Sequence, residues 1–143
     1  MNYKIFIDKE QKEEIIVYAR ESGDLVRKIE ELLINEEFNL LGFSDAQAIK
    51  LNIENIFCFV TEKNKVYAIY ENERFKVKYR IYQLEELLPD NFIKINQSTI
   101  ANINLIEKFS ASPYGTLCVK FKNGYTDYVS RRNIKKVKER FGL

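Results

Sequence analysis

The chain changes its hydrophobic period more than once. Tyr3, Ile5 and Ile7 fall apolar on one side of an alternating stretch and Ile15-Ile16-Val17-Tyr18 forms a short apolar run, so two short strands are expected near the N-terminus. Leu25, Ile29, Leu32 and Leu33 then recur at i, i+4, i+7 and i+8, one apolar stripe on a helix ending near Asn35. Ser22 suits the helix cap, and Asp24 its first turn, where the helix dipole favours negative charge. The stripe is expected to pack on the chain's own sheet, with a partner subunit as the other candidate.

From Phe38 the period becomes that of strands. Phe38–Phe43 leads into Ala46–Leu51, and Ile53–Thr61 and Val66–Tyr70 flank the polar turn Glu62-Lys63-Asn64-Lys65. Glu71-Asn72-Glu73 separates Val66–Tyr70 from Arg74–Lys78. Short β-prone runs at this spacing predict an antiparallel meander. Ile81, Leu84, Leu87 and Leu88 fit a short helix stopped by Pro89. Further on, Leu117, Val119 and Phe121 alternate with Cys118, Lys120 and Lys122 before Asn123-Gly124. That dipeptide signals a hairpin, because both residues of a type I′ turn need positive φ. The return strand is Tyr125–Val129, and Ser130 caps a basic last helix with Ile134, Val137 and Phe141 on its buried edge. The expected fold is mostly β (α+β): short antiparallel sheets with a few short helices over residues 46–143, preceded by a small α/β extension over residues 1–45.

Composition narrows the chemistry. The absence of histidine removes Ser-His-Asp and Cys-His nucleophile systems and the commonest zinc ligand. Cys58 and Cys118 lie far apart, each in a strand-like run, and read as two buried cytosolic thiols. No glycine-rich phosphate loop is present. Glu36-Glu37 and Glu85-Glu86 come without an electrophile or metal-ligand pattern and read as solvated faces. No catalytic residue, metal, cofactor or small-molecule substrate is therefore expected. The apolar runs Ile15–Ala19 and Ile56–Val60 fall far short of the roughly 20 residues that span a bilayer, and a signal-peptide core is lacking. The expected location is the cytoplasm.

Charge is divided along the chain. Residues 1–60 hold 7 Lys+Arg against 12 Asp+Glu, whereas residues 61–143 hold 16 against 9. An acidic first part and a basic second part suggest a polyanion partner for the latter; a solvated basic face would look the same.

Three features together resemble the LytTR DNA-binding domain family: Phe92-Ile93-Lys94-Ile95-Asn96-Gln97-Ser98-Thr99-Ile100-Ala101-Asn102 followed by Ile106; Leu117–Phe121 running into Lys122-Asn123-Gly124; and Val129-Ser130-Arg131-Arg132-Asn133 leading into the last helix. Arg80–Leu88 is similar to that family's preceding helix, and the likeness spans about two thirds of the chain. It implies short sheets that present loops, rather than a recognition helix, to successive grooves of duplex DNA. The contact regions it implies are Lys63-Asn64-Lys65, Asn96-Gln97-Ser98 and Arg131-Arg132-Asn133.

The chemistry of those side chains agrees. Gln97 and Asn64 suit adenine and Arg132 suits guanine, while Lys94 and Ser98 suit phosphate oxygens. Lys135, Lys136 and Lys138 add attraction that is independent of sequence. Plainer roles compete: Asn64 in shaping a tight turn, Gln97 and Ser98 in their own loop, Arg131 in an internal ion pair, Asn102 in a buried turn. Asn64 and Asn96 stand where many members carry histidine, and Ala101 where a larger β-branched residue is usual.

The leading reading is thus a promoter-binding transcription regulator acting as two protomers on repeated half-sites. The resemblance adds a small regulatory membrane protein as a possible partner. The alternative is a module that sequesters a protein partner without DNA. Base stacking by Tyr67, Tyr70, Tyr79 and Tyr82 is a lesser option, since strand and helix packing explains those rings.

Overall fold

The computed structural model describes residues 2–12, 14–37 and 40–143, with the side chains of residues 34–37 outside that description. Phe38-Asn39 and the Glu36-Glu37 side chains therefore lie outside it. A helix α1 (Asp24–Glu37) precedes strands β1 (Leu41–Ser44) and β2 (Gln47–Lys50). Then come β3 (Cys58–Glu62), β4 (Lys65–Ile69), β5 (Arg74–Val77), helix α2 (Ile81–Leu87), β6 (Phe92–Asn96) and β7 (Thr99–Asn102). The chain ends in β8 (Ile106–Ala111), β9 (Leu117–Phe121), β10 (Thr126–Val129) and helix α3 (Arg131–Phe141).

Two antiparallel sheets result: a seven-stranded sheet in the order β2-β1-β5-β4-β3-β7-β6 and a three-stranded sheet in the order β10-β9-β8. The mostly-β expectation holds. Strand β3 lies inside the sheet, between β4 and β7, and its position explains its composition. Phe59 points into one core with Phe75, Leu84 and Ile100, while Cys58 and Val60 point into a second with Ile95, Val119, Phe121 and Val137. A strand covered on both faces cannot alternate with polar residues. Phe59 is fully buried, a contribution of about 1.5–3 kcal/mol relative to exposure. Helix α2 closes one face of the large sheet; α3 and the small sheet close the other.

Four expectations need correction. No strand forms at 3–7 or 15–18: both runs are exposed and have no ladder partner, so the regular elements described within residues 1–45 are α1 and β1. The α1 stripe does not pack fully on the sheet, whose faces are already covered, and Leu32 stays 63% exposed. Ile53–Asn55 is a 3-10 turn rather than the start of a strand, held by the Asn52 side chain accepting from the Glu54 N–H at 3.1 Å. At Asn123-Gly124 only Gly124 has positive φ (89°). The hairpin is present but closes through three residues, with the Gly124 N–H donating to Phe121 O at 2.9 Å. The Asn123 side chain is used instead as a clamp, donating to Tyr70 O at 3.1 Å and accepting from the Tyr125 N–H at 3.0 Å.

Candidate nucleic-acid interface

The register of β3 with β4 pairs Glu62 with Lys65 and leaves Lys63 and Asn64 as a two-residue loop. Their φ values, 51° and 64°, are the two positive angles a type I′ turn demands. Asparagine accepts that region readily and lysine does so with strain. Asn64 therefore shapes the turn, and its side chain stays exposed together with those of Lys63 and Lys65. The turn is tethered from outside: Arg80, at the N-cap of α2, donates from Nη1 to Asn64 O at 3.2 Å. Beside the turn, Arg74 Nη1 lies 2.7 Å from Glu62 Oε2 and holds that carboxyl below its usual range, so the acid next to Lys63 is already paired.

The second predicted region is the β6–β7 hairpin, in which Asn96 pairs with Thr99 and Gln97 and Ser98 form an exposed tip. Asn96 itself is 2% exposed. Its Nδ2 donates to Asp127 Oδ1 at 3.1 Å and Tyr128 O at 2.9 Å, and its Oδ1 accepts from the Ser98 N–H at 2.8 Å. Asn96 thus holds the tip in place from inside, a role the sequence reading did not separate from contact. Lys94 is half-buried, its Nζ 3.8 Å from Glu85 Oε2.

The third region begins at Ser130, whose N–H donates to Ile95 O at 2.9 Å, so the entry to α3 is tied to the same hairpin. Arg131 and Arg132 are both exposed, and neither has an ion-pair partner among the described residues. Asn133 is half-buried and donates to Ser130 Oγ at 2.8 Å. Lys135 and Lys136 are exposed, while Val137 is buried and anchors the helix.

These segments border one run of shallow grooves. One is bordered by Asn64, Lys65 and Arg80; the next by Arg80, Lys94, Gln97 and Ser98; a third by Lys94, Gln97, Ser98, Arg132 and Asn133. A further groove shares Lys94 and Glu85 with the third and adds Lys136 and Arg140. Lys63, Arg131 and Lys135 are exposed but do not line them.

Sequence reasoning missed two residues here. Arg80 joins the first two grooves and caps α2, while Arg131 opens α3; a basic residue at the entry of each helix was the available signal. Tyr82 lines the second groove and is 68% exposed, so packing does not explain it. Its place off the Ile81, Leu84, Leu88 stripe could have shown this. Packing does account for Tyr70, whose hydroxyl accepts from the Asn52 N–H at 2.8 Å. Asn102 is buried, donating to Ile56 O at 2.9 Å and accepting from Asn91 Nδ2 at 3.0 Å, which gives it the structural role. Among the described residues no group of three or more His, Cys, Asp or Glu side chains could hold a metal, and no helix is long and apolar enough to cross a membrane.

Comparison with known proteins agrees with this fold. The family model described as the LytTr DNA-binding domain matches residues 46–142. Proteins of Staphylococcus aureus strains MSSA476, MW2 and NCTC 8325, each named an uncharacterized HTH-type transcriptional regulator, are 32% identical over 100% of this chain and 99% of their own. A LytTr DNA-binding domain from Bacillus cereus superposes with a TM-score of 0.69 at 22% identity, covering 73% of this chain and 98% of that domain. Despite the wording of the relatives' names, α2 and α3 are separated by five strands here. No two described helices follow one another across a short turn, as a helix-turn-helix requires. On the match over residues 46–142 and the identity along the whole length, the chain belongs to the LytTR DNA-binding domain family.

Proposed function

We propose that this protein is a cytoplasmic transcription regulator, not an enzyme, that reads promoter DNA as duplex through three loops. One observation carries the reading: the turn at Asn64, the tip at Gln97-Ser98 and the helix entry at Arg132-Asn133 border one continuous run of grooves. In this reading Gln97 and Asn64 pair with adenine edges and Arg132 with guanine. Lys94 and Ser98 fix the register on phosphates, and Lys135 and Lys136 add attraction that weakens with salt. Lys63, Lys65 and Arg131 flank the same contacts. Asn96 acts from within by holding the tip. A module of this size covers little DNA, so two protomers on repeated half-sites would gain by avidity.

The test is a fluorescence-anisotropy titration against randomised duplex DNA with selection of the bound sequences, at two salt concentrations, alongside the double variant Gln97→Ala, Arg132→Ala. The reading expects a repeated motif to be enriched by the native chain and lost by a variant that remains folded. Weak, motif-free binding that vanishes at physiological salt would overturn it in favour of a protein-interaction module.

A further inference from the structure

The N-terminal arm presents more apolar surface than an isolated chain has reason to show. Phe6 is 85%, Ile7 94% and Tyr18 93% exposed, and no described residue of the arm pairs in a strand. Helix α1 continues the face with Leu25 and Leu32, one above the other at i and i+7, both exposed. At about 150–250 Å² for each aromatic ring, Tyr3, Phe6 and Tyr18 alone leave roughly 400–650 Å² uncovered, and Ile5, Ile7, Ile15–Val17, Leu25 and Leu32 add to it. The total is of the order of the about 800 Å² each partner gives to a stable interface.

A second feature fits the first. Strand β2 is an outer strand of the large sheet, pairing with β1 alone, and Gln47–Lys50 are all exposed. The opposite outer strand, β6, has α3 and β10 against it. An uncovered edge is a template for another strand, and Lys50 is the only charge on this one. The apolar run Ile15–Tyr18 has the same four-residue length, is rich in β-branched residues, and is not seated on its own chain's edge. Residues 2–23 carry four basic and five acidic side chains. A nearly balanced arm has no electrostatic pull towards an anionic lipid surface or a nucleic acid and suits contact with itself.

We infer that the arm joins two copies of this chain, with Ile15–Tyr18 of each copy adding to the free β2 edge of the other and the Leu25–Leu32 face covered by the same contact. The arrangement is isologous, so it closes at two copies. It rests on the DNA-binding reading only for its purpose, the joining of two half-site readers.

The test is sedimentation velocity of the full chain without DNA, from about 1 to 100 µM, with two variants: Ile16→Glu, Tyr18→Glu in the arm and Ile49→Lys on the edge. All three side chains are exposed, so circular dichroism and melting of the variants should match the native chain. The native protein should sediment at twice 17.0 kDa and both variants as monomers. A native chain that stays monomeric throughout overturns the inference. Hydrogen-exchange protection of residues 15–18 in that monomer would give the edge to its own arm, and flotation with phosphatidylglycerol vesicles would give the face to lipid. A dimer that survives both variants also overturns it. DNA binding is read separately on a single half-site: a monomeric variant that binds it normally, losing only the gain on paired sites, keeps the two readings distinct.

Discussion

Asn96 Nδ2 stands 3.1 Å from Asp127 Oδ1, and this bond fastens the β6–β7 hairpin of the large sheet to β10 of the small one. The other carboxylate oxygen accepts from Thr99 Oγ1 at 2.7 Å, and Oδ1 also accepts from the Tyr128 N–H at 2.8 Å. Asp127 therefore fixes the Gln97-Ser98 tip relative to the helix entry two residues after Tyr128. Asp127→Ala leaves the buried Asn96 amide and Thr99 hydroxyl short of an acceptor, at a cost of about 1–3 kcal/mol. The urea midpoint should fall with an unchanged slope, and DNA affinity should fall with it because the Gln97-Ser98 tip loses its hold. An unmoved midpoint would remove the bond from the account.

The turn at Lys63-Asn64 separates geometry from chemistry. Both residues sit at positive φ, which glycine adopts without strain. Asn64→Gly should keep or slightly raise thermal stability while weakening a selected site by about 1–3 kcal/mol, roughly fivefold to 150-fold, if the amide reads a base. Equal affinity in the glycine variant would reduce Asn64 to its role in the turn.

Gly42 has no room for a side chain. A Cβ there would lie 2.7 Å from Phe75 Cβ and 2.8 Å from the Leu51 methyls, and Phe75 is fixed in the first core. Gly42→Ala should cost about 1–3 kcal/mol by overpacking, read as a lower melting temperature. A melt identical to that of the native protein would mean the β1–β2 hairpin gives way freely.

The two thiols differ, contrary to the expectation that both are buried. Cys58 is fully buried and burial pushes its thiol up, with the Asp127 charge adding to the effect, while Cys118 is half-buried. Because the thiolate is the reactive form, iodoacetamide at neutral pH should modify Cys118 first and Cys58 only after denaturation. Equal rates in the folded protein would contradict the burial of β3.

Burial, then the neighbouring Cys58 and Asp127 groups, pushes the Tyr125 phenol up to about 12. Its folded value lies above the ordinary value of about 10. The stability it contributes is therefore complete below pH about 10 and is lost as pH rises through about 12. The urea midpoint should drop across that window, and Tyr125→Phe should make the drop shallower. An identical alkaline profile in the variant would count against it.

Much of the domain was legible because its strands alternate or run apolar between clear turn signals. β4, β5, α2 and α3 fall within a residue or two of their expected limits. β8 was not foreseen: Ile106, Lys108 and Phe109 break the alternation where the ladder is irregular. The N-terminal runs show the reverse error, since strand propensity gives no strand without a neighbour to pair with. At the candidate interface the family resemblance pointed to Gln97, Ser98 and Arg132, and all three are exposed. The inward turn of Asn96 and the reach of Arg80 to Asn64 depend on contacts 31 and 16 residues away along the chain, which local pattern does not carry.

The most direct test of the three-loop interface is amide chemical-shift mapping of the ¹⁵N-labelled chain on addition of a selected duplex. The account predicts perturbation at residues 63–65, 97–98 and 131–136, with Arg80 and Tyr82 included, and little change at the β8–β9 turn around Pro113-Tyr114-Gly115. Perturbation centred on that turn or on β2, with the three loops silent, would contradict it.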